Sequence, residues 1–435
     1  MSQNIGFSPL HFFPKEGRLG DTIPFYWQGE YHVFYLLWDQ EPTCSWEHIV
    51  STDLIHWEER PTMLKSDPND PEGPDGFHMF TGCVTEHEGT FYIHYTGHNP
   101  NNPEGDQFIC LATSQDLITC RKHPEYAFTG DNIRYLERDF RDPYVFWNPE
   151  EDMWWMLLTT CDAKKDLAVQ GVARSHDLIH WEQTDPLVYD PPLTDGHTVT
   201  SECPDLIRIG MDWHLLYTRV TQNIRRSNHL RGPYRLVEPV AIDTPRLLAG
   251  KRMFDGRRHI YFGPLSGDKE DTVMGIRELY GGPAGELFSR PVHEVIDVFS
   301  REVVQISEQL SINGPDGLWR CEAPESYMAE ITFTASSEAV LSFVFRQDNK
   351  TGDGCRFDLR ISTQEIEMDG CIRSIVVDED RPIVLRAFVQ GTVVECFLND
   401  RYTMSDRNYS IHQQAGVEVI QGEVQIQHIV IKAQK

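Results

Sequence analysis

The sequence predicts an all-β protein, a five-bladed β-propeller followed by a β-sandwich, and three features carry that prediction. The octet Ser51-Thr52-Asp53-Leu54-Ile55-His56-Trp57-Glu58 returns as Ser175-His176-Asp177-Leu178-Ile179-His180-Trp181-Glu182, with a shorter copy, Ser114-Gln115-Asp116-Leu117-Ile118, between them. Five strand-like runs, at 31–35, 91–95, 154–158, 213–217 and 259–262, follow turns such as Gln28-Gly29-Glu30 and Asp255-Gly256-Arg257. Hairpins recurring every 45 to 65 residues or so read as propeller blades of four strands. Beyond residue 310 the texture shifts to short, partly alternating runs with frequent turns, the pattern of a sandwich. The expected organisation is a propeller over 1–295, a linker over 296–310, mildly amphipathic in pattern, and a sandwich over 311–435. The Ser-x-Asp-Leu copies are expected to build turns and packing rather than chemistry, because that is what such turn residues do.

Composition narrows the function classes. With 435 residues, 40% of them hydrophobic, the chain is too long for one ordinary core. A net charge of -28 opposes nucleic acid and anionic membranes as partners. No apolar run is long enough to span a bilayer. The N-terminal residues lack a basic start and an apolar core, which predicts a cytoplasmic protein. Ten cysteines without a CxxC pair read as reduced thiols and not as a metal site. No cofactor or metal is indicated; a homo-oligomer is compatible with the sequence.

The chemistry is expected at the heads of the inner strands, where one end of each converges on the propeller axis. Phe140-Arg141-Asp142-Pro143 opens the aromatic run that ends at Trp147. A carboxylate at the start of a buried strand is costly unless paired or functional. Six to eight residues ahead of the other turns stand Asp21, Phe80-Thr81 and Glu202; blade five shows no equivalent acid, since Asp255 belongs to its turn. Three acids and an arginine in one concave site fit glycosidic cleavage: one carboxyl protonates the leaving oxygen, and another attacks or activates water. A calcium site and an inert polar channel are the alternatives that placement leaves open.

These motifs resemble glycoside hydrolase family 32, the family of invertases, inulinases and levanases. The resemblance rests on Phe140-Arg141-Asp142-Pro143, on Ser201-Glu202-Cys203-Pro204-Asp205-Leu206, and on Trp46-Glu47-His48 ahead of the first octet. Arg277-Glu278-Leu279, Gly285-Glu286-Leu287, Arg290-Pro291-Val292 and Glu294 resemble the segment closing that propeller, and 394–400 a late strand of its sandwich. It implies a retaining enzyme on β-fructofuranosides, with a sucrose-like glycoside or fructan as substrate. Asp21 would be nucleophile, Glu202 acid/base and Asp142 transition-state stabiliser, and Arg141, Trp46, Phe80 and Thr81 would line the first sugar subsite. A retaining geometry puts the Asp21 and Glu202 carboxyls about 5 to 5.5 Å apart.

Two departures fall in that subsite. The family's Trp-Met-Asn-Asp-Pro-Asn-Gly is here Arg18-Leu19-Gly20-Asp21-Thr22-Ile23-Pro24, and its glutamine after Phe-Tyr is Leu36. Loss of hydrogen-bonding groups changes which sugar a pocket rejects. An inverting arabinofuranosidase-like enzyme, a fructosyltransferase and an inactive sugar-binding protein therefore stand as alternatives. Trp38, Trp46 and Trp147 are candidates for stacking at the pocket mouth, Trp147 being the one best explained by packing.

Overall fold

The structure, a computed structural model, describes residues 10–40, 43–67, 69–192, 199–237, 241–269, 271–315, 317–348, 350–378 and 381–435. It contains five four-stranded antiparallel sheets, a seven-stranded sheet and a six-stranded sheet. The inner strands of the five small sheets are Arg18–Trp27, His78–His87, Arg141–Asn148, Glu202–Ile209 and Lys251–Phe254. Each lies against the next, and the fifth lies against the first, which closes the propeller around its axis. The two larger sheets form the C-terminal sandwich, with Phe333, Leu341, Phe343, Phe357 and Leu385 in its core. The expected all-β class is borne out.

The repeated octet builds one turn three times. In each, the aspartate carboxylate accepts backbone N–H groups two and three residues ahead: Asp53 from Ile55 and His56, Asp116 from Ile118 and Thr119, Asp177 from Ile179 and His180. The following leucine (54, 117 or 178) takes a positive φ and buries its side chain. The tryptophans then lock neighbouring blades: Trp57 meets Phe262 of blade five edge-on, and Trp181 meets His94 of blade two.

The stretch expected as a linker, 296–310, does not behave as one. A six-residue helix, His293–Val298, runs into the strand Phe299–Ile306, which pairs with the C-terminal strand Glu423–Gln434 as the edge of the seven-stranded sheet. An edge strand exposes much of its surface, so Ser300, Arg301, Glu302 and Val303 stay exposed and no apolar alternation marks it.

A buried ionic network joins the domains. Arg277 of blade five, 1% exposed, donates to Asp243 at 2.7 Å and to Ser405 at 2.8 Å, and pairs with Glu395 of the sandwich at 2.5 Å. His11 closes the network on Glu395 at 2.8 Å. Burial alone would raise the Glu395 carboxyl, but Arg277 and His11 hold it at about 2. The folded value lies below the ordinary 4.5, so this stabilisation is present above that pH and is lost as pH falls towards 2. Glu395→Gln should cost about 3 kcal/mol at pH 7. Denaturant melts should show that gap shrinking at pH 3; an equal gap at both values would contradict the assignment.

Candidate active site

Four of the five inner strands carry a β-bulge at the same height. The register with the second strand slips between Leu19 and Thr22, between Met79 and Gly82, between Arg141 and Tyr144, and between Glu202 and Asp205. Gly20-Asp21, Phe80-Thr81, Asp142-Pro143 and Cys203-Pro204 are the slipped pairs. A bulge leaves residues unpaired and re-aims their side chains. Asp142 and Cys203 take the left-handed conformation there, with φ of 57° and 51°.

The structure brings the three predicted acids together with the arginine. Asp142 is 3% exposed; its Oδ2 accepts from Thr159 Oγ1 at 2.9 Å and from the Cys203 N–H at 3.0 Å, while its own N–H donates to Thr96 Oγ1. Asp21 is half-buried, and the Cys203 thiol donates to its Oδ2 at 3.6 Å. Glu202 accepts from Arg141 Nη2 at 2.7 Å. Arg141 also donates to Thr200, Gln107 and Asp139, a fan of bonds that fixes its plane.

Crowding shifts the acids upward. Burial, then Asp142 and Glu202, push Asp21 to about 7 against the opposing pull of Lys251 and the Cys203 thiol. Burial and Asp142 also raise Glu202, while Arg141 draws it back. Burial and the neighbouring carboxylates keep Cys203 a neutral thiol, so it serves as donor to Asp21. Carboxyl groups shifted upward by burial and by one another are what acid/base work on a glycosidic bond needs.

The sugar-facing wall differs from expectation. Trp46 is wholly buried, packed on Phe34 and Tyr95, and its indole N–H donates to the Phe80 carbonyl at 3.0 Å. It props the second bulge from behind and touches no open pocket. Leu36, 2% exposed, lies in the same core, and the Thr81 side chain is also fully buried. Trp147 stands at the far end of its strand, 41% exposed and edge-on to Trp154. Trp38 and Phe80 do remain half-exposed, Trp38 against Gly20, the residue before Asp21. His98 stacks on Phe80 at 5.2 Å between centroids, and His78 packs near both Trp38 and Phe80. The two histidines drew no notice in the sequence because each sits in an ordinary strand pattern.

Lys251 is the other residue missed. It heads the inner strand of blade five, is 3% exposed, and donates to the Gly82 carbonyl at 2.8 Å. That strand has only four residues, so its head stands closer to its turn than in the other blades. A cavity of about 680 Å³ also opens between the domains, lined by His11, Arg18, Asp271, Arg301 and Gln434 among others, but none of the three acids opens into it.

Residues 11–235 match the model of the glycosyl hydrolases family 32 N-terminal domain. The chain belongs to glycoside hydrolase family 32. A sucrose-6-phosphate hydrolase of Escherichia coli is 24% identical over 480 aligned residues, covering 96% of this chain and 94% of that protein. A raffinose invertase of the same species is 26% identical over 93% and 90%. The fold matches an exo-inulinase of Aspergillus awamori (TM-score 0.80, 16% identity, 98% of each chain). It also matches fructan 1-exohydrolase IIa of Cichorium intybus (TM-score 0.81, 16% identity, 100% and 98%). The glycosidase reading and its class, a retaining β-fructofuranosidase, are thus borne out.

For this family-32 member, Gly20 leaves the space beside Asp21 to Trp38. A Cβ at that position would lie 2.4 Å from Trp38 Nε1 and 3.0 Å from Leu36 Cβ. The indole occupies the space that a side chain preceding the aspartate would need. Gly20→Ala should therefore displace Trp38 and raise KM roughly tenfold, the loss of about one good contact. Steady-state kinetics on the active glycoside checks this; an unchanged KM in a folded variant would remove Trp38 from the sugar wall.

Proposed function

We propose that the protein hydrolyses a β-fructofuranoside by double displacement, with Asp21 as nucleophile, Glu202 as acid/base and Asp142 as stabiliser. The convergence of these three carboxylates on bulged strands at the propeller axis carries the reading. Asp21 attacks the anomeric carbon while Glu202 protonates the departing oxygen; water, deprotonated by Glu202, then releases the sugar from Asp21. Asp142, locked by Thr159 and the Cys203 N–H, faces the developing positive charge and holds sugar hydroxyls. When a sugar hydroxyl displaces Glu202 from Arg141, Glu202 loses its stabilising cation and becomes the better proton donor.

The substrate is a soluble oligosaccharide or small glycoside, taken against Trp38 and Phe80. A cytoplasmic setting accords with ten free thiols. Leu36 lies in the core and offers no hydrogen bond to the first sugar, so a second reading within the same chemistry is a different furanose there. Sucrose, sucrose 6-phosphate, inulin, levan and aryl arabinofuranosides discriminate these readings. Fructose should be released with retained anomeric configuration, followed by NMR, and Asp21→Asn or Glu202→Gln should lower kcat by about a thousandfold or more. Release of the inverted anomer would refute the double displacement, and release of arabinose alone would replace the substrate.

A further inference from the structure

Blade five contributes no acid to the axis, yet it places a buried cation there. In the closed ring, blade five neighbours blades one and four, whereas Gly82 belongs to blade two. The Lys251 side chain therefore reaches past blade one and across the axis to make its 2.8 Å bond to the Gly82 carbonyl. A Cβ on residue 82 would lie 2.0 Å from the His94 carbonyl, so the backbone approach that presents this carbonyl requires glycine. Among the described residues this carbonyl is the ammonium's one hydrogen-bond partner, a thin solvation shell for a lysine that is 3% exposed. Such a charge persists when surrounding anions stabilise it collectively.

We propose that Lys251 is a positioning residue for the nucleophile, an axial counter-charge, reaching past blade one, that favours the carboxylate form of Asp21 and so leaves the shared proton to Glu202. This rests on the roles assigned above to those two acids. Double displacement needs the shared proton on Glu202 and not on Asp21, although the two face the same crowded channel. Arg141 bonds Glu202 directly and so favours the opposite distribution. A cation closer in effect to Asp21 is required to offset it. Lys251 acts in that sense on Asp21, whereas Glu202 takes its opposing cation from Arg141.

Among the described residues, charged and titratable groups from every blade surround Asp21. Blade three supplies Asp142 and Arg141; blade four supplies Glu202, Cys203 and Asp205; blade one supplies Cys44. Blade two adds Cys83, and blade five adds Lys251 and Arg252, the latter paired with Asp205 at 3.4 Å. Cys44, Cys83 and Cys203 are all pushed up by burial and stay neutral. Arg252 is engaged by Asp205, and Arg141 by Asp139 and Glu202. Lys251 makes no ion pair within 4 Å among the described residues, and its charge acts on Asp21 and on Asp205.

The test is the pH profile of kcat/KM for the wild type, Lys251→Met and Lys251→Arg. Methionine keeps the length and removes the charge; arginine keeps the charge. Loss of the cation raises Asp21, so the acid limb of Lys251→Met should move up by about one pH unit. Activity on that limb should drop roughly tenfold. Lys251→Arg should hold the limb at its wild-type position. A limb unmoved in Lys251→Met, with or without a lower melting temperature, would make the lysine merely structural and overturn the inference. If Lys251→Met fails to fold, Lys251→Gln takes its place under the same criterion. A wild type inactive on every furanoside would instead refute the proposed function itself, so the two failures are distinct.

Discussion

Three carboxylates converge at the heads of three inner strands, and the rest of the structure answers to their mutual repulsion. Like charges in a partly dry space cannot all ionise freely, and each must find compensating donors. Asp142 takes a hydroxyl and a backbone N–H, Glu202 takes a guanidinium, and Asp21 takes a thiol. None of these partners is adjacent in sequence to the acid it serves in more than one strand, so the site exists only when the ring of blades has closed. The same crowding that costs stability places the acids where proton transfer near neutral pH is workable.

The scaffold tolerates this because it is stiff elsewhere. Repeated aspartate turns fix the outer corners of three blades, and Trp57 and Trp181 tie two of those corners to a neighbouring blade. At ring closure, Arg258 clasps Glu294 through both guanidinium nitrogens, at 3.0 and 2.8 Å. Behind the catalytic layer, Arg277 spans from blade five to the sandwich, so the second domain buttresses the blade that carries Lys251. Positioning to a fraction of an ångström is what such support provides to a site made from strand ends.

Much of this was legible in the sequence, for identifiable reasons. The octet and the turn spacing expose the repeat, because turn chemistry depends on local residues. The acids stand out because carboxylates at strand heads are conspicuous. What escaped depends on pairing across strands. The bulges are a property of register, which a single strand does not display, and Trp46 supports the second of them from behind while Trp38 packs over Gly20 in the first. Lys251 escaped because a four-residue strand breaks the spacing used to find its counterparts. The strand Phe299–Ile306 escaped because an exposed edge carries no alternation.

The pocket beside Asp21 is where this chain diverges, with Gly20 and Trp38 in place of a polar side chain. The chemistry at Asp21 itself does not depend on that divergence, and it can be read directly. Glu202→Gln treated with β-fructofuranosyl fluoride, whose leaving group needs no acid, should stall with the sugar bonded to the enzyme. Mass spectrometry of the digested protein should find one fructosyl unit on the peptide containing Asp21. A fructosyl unit on any other residue, or turnover with inversion and no adduct, would contradict the central claim.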